Sequence, residues 1–357
     1  MESQNPLRPY TALELVDRTF RIYRNSFMTF LVPVALVTVP VTIINVIGSL
    51  LYQERAAELQ PVLNDLQRQT SRTMSPQMQA EVMRASGEII SVAVIFLAVL
   101  AITTLLQVVL VNSILTQLAS ENHLGFRATA GEALRAIRDR LMPLTVAVIL
   151  EFVLFMIMIV AISVMTVLFP LCGLLFVLLI YIWPAMFSLL TPVMILERAN
   201  VGLGIRRAWS LGKARIWQIV GITVVIGIIN FVITLGLSAL VALFVQPTTS
   251  VSVGASNVAD VIVQSIVGIL ISPVVPIAFT LLYYDARVRV EGLDIAMQNS
   301  GIPNPRPADL ESPQPTDPLV TGKDFGNMVL LALVVIGVAG TLICVLSVAL
   351  LPFLQRF

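Results

Sequence analysis

The sequence predicts an all-α polytopic transmembrane helical bundle of about seven spans, with three amphipathic helices lying in the plane of the cytoplasmic interface. Three observations lead there. Hydrophobic residues make up 57% of the 357 residues and charged residues 12%, against about 25% charged in an ordinary soluble domain. The apolar residues gather into runs long enough to cross a bilayer. Lysine and arginine are concentrated on alternate connections between those runs.

A spanning helix needs about 20 mostly apolar residues. Seven runs qualify: Phe27–Leu51, Ile89–Leu118, Leu141–Phe169, Leu171–Leu196, Trp217–Val245, Val261–Tyr284 and Met328–Leu354. Pro170 separates the third from the fourth, which predicts a tight hairpin. The first 26 residues are polar and no small-residue cleavage site follows, so the first run is expected to stay in the membrane. Of the 22 lysines and arginines, 17 fall on the N-terminal segment and on the connections after the second, fourth and sixth spans. By the positive-inside rule that side is cytoplasmic, the N-terminus included.

The order along the chain follows. Residues 1–26 form a cytoplasmic N-terminus with an amphipathic helix, and residues 27–297 a six-helix membrane domain. Within that domain the polar stretch 52–88 prolongs the first two spans as an extracytoplasmic helical loop, either a solvated connector or a partner-binding surface. Residues 298–326 carry six prolines among polar residues and are expected to be a disordered linker. Residues 327–357 form the seventh helix.

Three segments share one design. Thr11 with Glu14, and Thr129 with Glu132, fit the capping box that satisfies free backbone donors at a helix start. Asn200 caps the third start. Amphipathic stretches follow, with Leu13, Val16, Phe20 and Tyr23 in the first, Leu134, Ile137 and Leu141 in the second, and Val201, Ile205 and Trp209 in the third. Arginines off the apolar stripe suit helices lying in the interface. Each then leads into a span, so the body reads as three parallel repeats.

Net charge is +1, which gives no electrostatic footprint for nucleic acid. Cys172 and Cys344 lie in apolar runs and read as packing thiols. His123, in a short polar loop, has no companion for a metal site or a triad, so no metal or cofactor is expected. No P-loop, dinucleotide fingerprint, H-E-x-x-H helix or G-x-S-x-G elbow is present.

Glu151 lies about ten residues into the third span, where an ionised carboxylate costs at least ~2.5–3.5 kcal/mol. It reads either as an ion relay or polar substrate contact, or as a hydrogen bond to a neighbouring helix. Asn112, Asn230 and Gln264, with Asn45 and Gln107, supply candidate partners. Prolines interrupt the first, fourth and sixth spans, and Pro273 with Pro276 mark the best place for a hinge or a cavity. A third candidate is the charged set Arg206, Arg207, Asp285, Arg287, Arg289 and Glu291, with Glu197 beside it. These residues either pin the amphipathic helices by ion pairs or bind anionic headgroups.

The run Pro192-Val-Met-Ile-Leu-Glu197, then Arg206-Arg207-Ala208-Trp209-Ser210-Leu211 and Arg215-Ile216-Trp217, resembles a known family. So does Leu282-Tyr283-Tyr284-Asp285-Ala-Arg287-Val-Arg289-Val-Glu291-Gly292-Leu-Asp294. Both are similar to the membrane domain at the N-terminus of some bacterial glycerophosphoryl diester phosphodiesterases, over roughly residues 10–296. Enzymes of that family carry their chemistry in a separate soluble barrel, for which the residues after Asp294 leave no room. The resemblance therefore implies a stand-alone membrane domain of the bacterial inner membrane, without phosphodiesterase activity. Two functions are expected: a non-enzymatic module that organises membrane lipids or other membrane proteins, or a small transporter for a lipid-like or small polar solute. A membrane-embedded enzyme of lipid metabolism would need a cluster of acids or histidines at one interface, and the sequence shows none.

Overall fold

A computed structural model describes residues 7–68, 76–169, 176–244, 253–315, 318, 320–334 and 337. Among them there is no β-strand. The helices are α1 (Ala12–Asn25), α2 (Phe27–Arg68), α3 (Pro76–Leu106), a π turn (Gln107–Val111), α4 (Asn112–His123), α5 (Ala130–Leu168), α6 (Phe176–Leu196), α7 (Val201–Ala214), α8 (Ile216–Phe244), α9 (Val253–Ile271), α10 (Val274–Glu291) and α11 (Leu293–Asn299). A last helix, α12, covers residues 322–334.

Five stretches are long and apolar enough to cross a membrane: Phe27–Gly48, Val94–His123, Ala130–Leu168, Ile216–Leu237 and Val261–Glu291. They coincide with the first, second, third, fifth and sixth expected spans. For the fourth, Tyr181–Leu196 is a shorter apolar helix. The Pro170 hairpin, Cys172, Cys344 and most of the seventh span lie outside the described residues. Large apolar side chains stand outward along the spans, among them Leu36, Ile95, Val167 and Phe231. Water does not tolerate so much contiguous apolar surface, whereas lipid is its natural solvent. The chain is a multi-pass integral membrane protein.

The expected helix starts are built as the caps require. The Thr11 amide donates to Glu14 Oε2 at 2.8 Å and the Glu14 amide to Thr11 Oγ at 3.3 Å. Thr129 and Glu132 repeat this at 2.8 and 3.3 Å, and Asn200 Oδ1 accepts the Leu203 amide at 3.0 Å. The hydrogen bonds from Thr11 hold the Glu14 carboxyl below the usual range.

Several expectations change. The second amphipathic stretch is no separate helix, because α5 runs unbroken from Ala130 to Leu168. The chain there, Arg135 to Met142, is made of good helix formers, and Pro143 removes only one backbone donor. In contrast, α1 stops at Asn25, and α7 stops at Arg215, whose φ of −123° leaves the helical region. On α1 the inward residues are Leu15 and Thr19, while Leu13 and Phe20 are exposed. His123 also differs: it closes the last turn of α4 and is buried.

The proline-rich segment, expected to be a disordered linker, makes defined contacts where the structure describes it. Pro307 is buried in a short 3-10 turn, and the Pro313 and Pro318 carbonyls accept hydrogen bonds from Arg207 and Lys213. Proline carbonyls are good acceptors, and the ring has already removed much chain entropy. The seventh helix starts at residue 322, earlier than expected, on a further capping pair. The Thr321 amide donates to Asp324 Oδ2 at 2.7 Å and the Asp324 amide to Thr321 Oγ at 3.4 Å.

The chain packs as two compact units. The first comprises Met1–Asp17, Arg138–Thr223 and Ala278–Phe357. Its tightest contact is α6 on α7, through the small residues Gly204, Ala208 and Gly212 at four-residue spacing. Such spacing lets two backbones approach closely. Around it lies a core of Tyr181, Ala185, Trp209, Ile216, Met328 and Leu331, which docks the start of α12.

The second unit comprises Arg18–Ile137 and Val224–Ile277. Here α2 contacts α9 through Thr42 Oγ and Ser265 Oγ at 3.0 Å, and Ser26 reaches Asn122 at 3.0 Å. The sixth span is interrupted at Ser272–Pro273, between α9 and α10. Pro33, Pro40, Pro184 and Pro192 all sit inside continuous helices. Pro273 and Pro276 remove two donors within one turn, which the more widely spaced pairs do not. The Tyr23 hydroxyl donates to the Leu270 carbonyl at 2.7 Å, beside the break. An apolar cavity of about 210 Å³ adjoins it, lined by Phe20, Tyr23, Phe27, Leu270 and Val274 among others.

A Cβ at Gly212 would fall 1.9 Å from the Ala185 carbonyl oxygen. Gly212→Ala is therefore expected to destabilise the protein by about 1–3 kcal/mol. Gly221→Ala, where nothing lies within 4 Å, is expected to be neutral or stabilising. Thermal unfolding in detergent distinguishes them, and equal midpoints would contradict the close α6–α7 approach.

Candidate functional site

The charged residues of the first unit assemble into two networks, and the helical register explains how. Tyr283, Arg287 and Glu291 recur every four residues on one face of α10. Glu197 follows the last turn of α6, closed by its amide on the Val193 carbonyl at 3.1 Å. Arg198 then takes a left-handed φ of 53° that turns the chain into α7. Arg140 donates to its carbonyl at 2.9 Å. From α7, Arg207 points inward on the same face as Gly204, Ala208 and Leu211.

In the first network, Glu197 receives Arg207 in a two-point grip, Nε to Oε2 at 2.5 Å and Nη2 to Oε1 at 2.9 Å. The Tyr283 hydroxyl donates to Glu197 Oε1 at 3.1 Å. Arg207 also lies 2.9 Å from Glu291 and donates to the Pro313 carbonyl. Arg287 donates to Glu291 at 2.8 Å and to the Tyr283 hydroxyl at 3.1 Å, and stands 3.6 Å from Glu197. The Arg207, Glu197 and Arg287 side chains are 2%, 0% and 3% exposed. Two guanidinium groups thus meet two carboxylates, and the charge sums to zero. Burial disfavours the Arg207 cation, but hydrogen bonds and charge from Glu197 and Glu291 outweigh that and raise its pKa.

The second network is built on Asp285, whose side chain is fully buried. It accepts the Tyr10 amide at 2.7 Å, Arg289 Nε at 3.0 Å and Arg215 Nη2 at 2.6 Å. Arg289 returns a hydrogen bond to the Tyr10 carbonyl at 2.8 Å. Asp285 and Arg289 therefore hold both polar groups of one residue, as a neighbouring strand would, and anchor the segment before α1. Nearby, Asp324 accepts the Tyr181 hydroxyl at 3.2 Å and lies 3.9 Å from Lys213. Burial works against this carboxylate, but the Thr321 and Tyr181 hydrogen bonds and the Lys213 charge hold its pKa below the usual value.

Of the residues singled out from sequence, Arg207, Asp285, Arg287, Arg289 and Glu291 enter the networks. Arg206 does not: one residue from Arg207, it points outward and is exposed. Tyr10, Arg215, Tyr283 and the Pro313 carbonyl were not anticipated. Only Tyr283 carried a signal, its four-residue spacing from Arg287.

Glu151 is 1% exposed, and neither carboxylate oxygen has a hydrogen-bond partner among the described residues. Phe155, one turn further along α5, packs on Trp183, which stacks on Phe187. Asn112 is half-buried directly after the π turn. Asn230 is exposed and accepts Thr234 at 3.4 Å, and Gln264 is exposed. All three belong to the second unit, whereas Glu151 belongs to the first.

Removing one charge from a buried pair leaves its partner unneutralised, at about 3–5 kcal/mol. Glu197→Gln is expected to destabilise by that order. Glu197→Gln combined with Arg207→Gln restores neutrality and is expected to lose less than the two single changes added together. A double-mutant cycle on denaturation midpoints measures this, and strict additivity would refute the coupling. No protein-family model, curated protein or solved structure matches this chain.

Proposed function

We propose that this multi-pass membrane protein is a non-enzymatic module of the bacterial inner membrane that organises or regulates lipids, with its arginine-rich platform on the cytoplasmic face. The observation that carries the reading is the pairing pattern in the first unit. The buried arginines are neutralised by internal carboxylates and lock α6, α7, α10 and the segment before α1 into one platform. Arg206 stays outside those networks and faces outward. An anionic leaflet attracts such residues by about 1 kcal/mol each. The excess of lysine and arginine on the same alternate connections supports the orientation. The resemblance to the phosphodiesterase membrane domain supports the same reading.

Under this reading, protein extracted in mild detergent is expected to carry anionic phospholipid enriched over its share of the membrane. Mass spectrometry of the co-purified lipid checks this, and a lipid profile equal to the bulk membrane would count against it.

One observation favours a second reading, a small transporter or permease. The Glu151 carboxyl is buried in a span with no hydrogen-bond partner among the described residues, and intramembrane acids commonly mark ion or solute pathways. If so, Glu151→Gln abolishes proton-coupled uptake in proteoliposomes while leaving the melting temperature unchanged. If the residue is structural, the substitution changes stability only.

A further inference from the structure

We infer that the groove between α6, α7 and the start of α12 is a binding site for an anionic phospholipid. The acyl chain would lie along the groove and the phosphate on Arg206. This assigns a site and a ligand class to the lipid-organising reading, and it rests on that reading.

The groove has a volume of about 240 Å³ and is lined by Ile182, Met186, Trp209, Val320 and Met328, with Arg206 at its edge. That is smaller than the roughly 300–1,000 Å³ of a small-molecule pocket. Its apolar lining suits a length of acyl chain better than a compact polar solute. Past Met328 on α12, Val329, Leu330 and Leu333 are exposed, which places apolar surface beside the groove in the chain.

The charge argument decides between a neutral and an anionic lipid. Arg206 has no ion-pair or hydrogen-bond partner among the described residues, although its neighbour Arg207 makes three such contacts. A guanidinium with no carboxylate partner among the described residues, at the edge of an apolar groove, complements a phosphate with its planar fork of donors. Trp209, 9% exposed, stands one turn along α7 from Arg206. Its indole suits the boundary between chain and headgroup.

The test uses the full chain in nanodiscs, with native mass spectrometry reading retention of phosphatidylglycerol against phosphatidylcholine. Arg206→Gln is expected to weaken phosphatidylglycerol retention about fivefold, the equivalent of about 1 kcal/mol, and to leave phosphatidylcholine unchanged. Arg206→Lys keeps the charge and is expected to retain most of the preference. Arg24→Gln removes an exposed charge elsewhere and is expected to change retention little. Ile182→Trp fills the groove and is expected to reduce retention of both lipids. If the wild-type protein prefers phosphatidylglycerol but Arg206→Gln keeps that preference, the site is overturned and the lipid-organising reading stands. The same holds if Arg24→Gln loses as much as Arg206→Gln, since a diffuse field would then do the binding. A wild-type protein with no preference overturns both.

Discussion

A carboxylate at the exit of α6 holds the first unit together. Glu197 has a side chain closed off from solvent, where an unpaired charge costs several kcal/mol. It is tolerable only because Arg207, Arg287 and the Tyr283 hydroxyl reach it at once. Those partners come from two other helices, and Arg207 extends the linkage to the proline-rich segment. Neutrality is thus a geometric condition: the pairing survives only if α6, α7 and α10 keep their register. The small-residue stripe on α7 meets the same condition, since Arg207 points inward on the face that Gly212 presses against Ala185.

Local and non-local forces divide the work. Caps at Thr11, Thr129 and Asn200 set where helices begin, each satisfying free amides from within four residues. Where helices end depends on weaker signals. The break before α2 and the break before α8 follow Asn25 and a Gly-Lys-Ala run, while α5 has no such interruption and carries through Pro143. A single missing hydrogen bond bends a helix in lipid more readily than it ends one, because leaving more backbone unpaired there is costly. Two prolines within one turn, at Pro273 and Pro276, do end it.

The platform and the spans point to different chemistry. In the platform, acids and bases cancel, which suits a rigid support for lipid or protein. In α5, Glu151 is buried without a hydrogen-bond partner among the described residues, and a buried polar group is costly unless it is paired.

The sequence by itself determined the solvent, five of the spans, three of the helix starts and the concentration of arginine on alternate connections. Hydrophobic run length, capping spacing and charge counting are all short-range properties, readable within about 20 residues. Most of the charged cluster was readable too, because α10 repeats its polar residues every four positions. The tertiary structure alone decided who pairs with whom. Tyr10 meets Asp285 across 275 positions through a backbone amide, and every residue but proline carries such an amide, so nothing in the chain marks that one. The ordering of the proline-rich segment depended on guanidinium and ammonium groups from α7 finding its carbonyls. The contrast between Arg206 and Arg207 is a matter of about 100° around a helix axis. Adjacent identical letters carry no sign of which one faces a buried carboxylate and which one stands at the edge of an apolar groove.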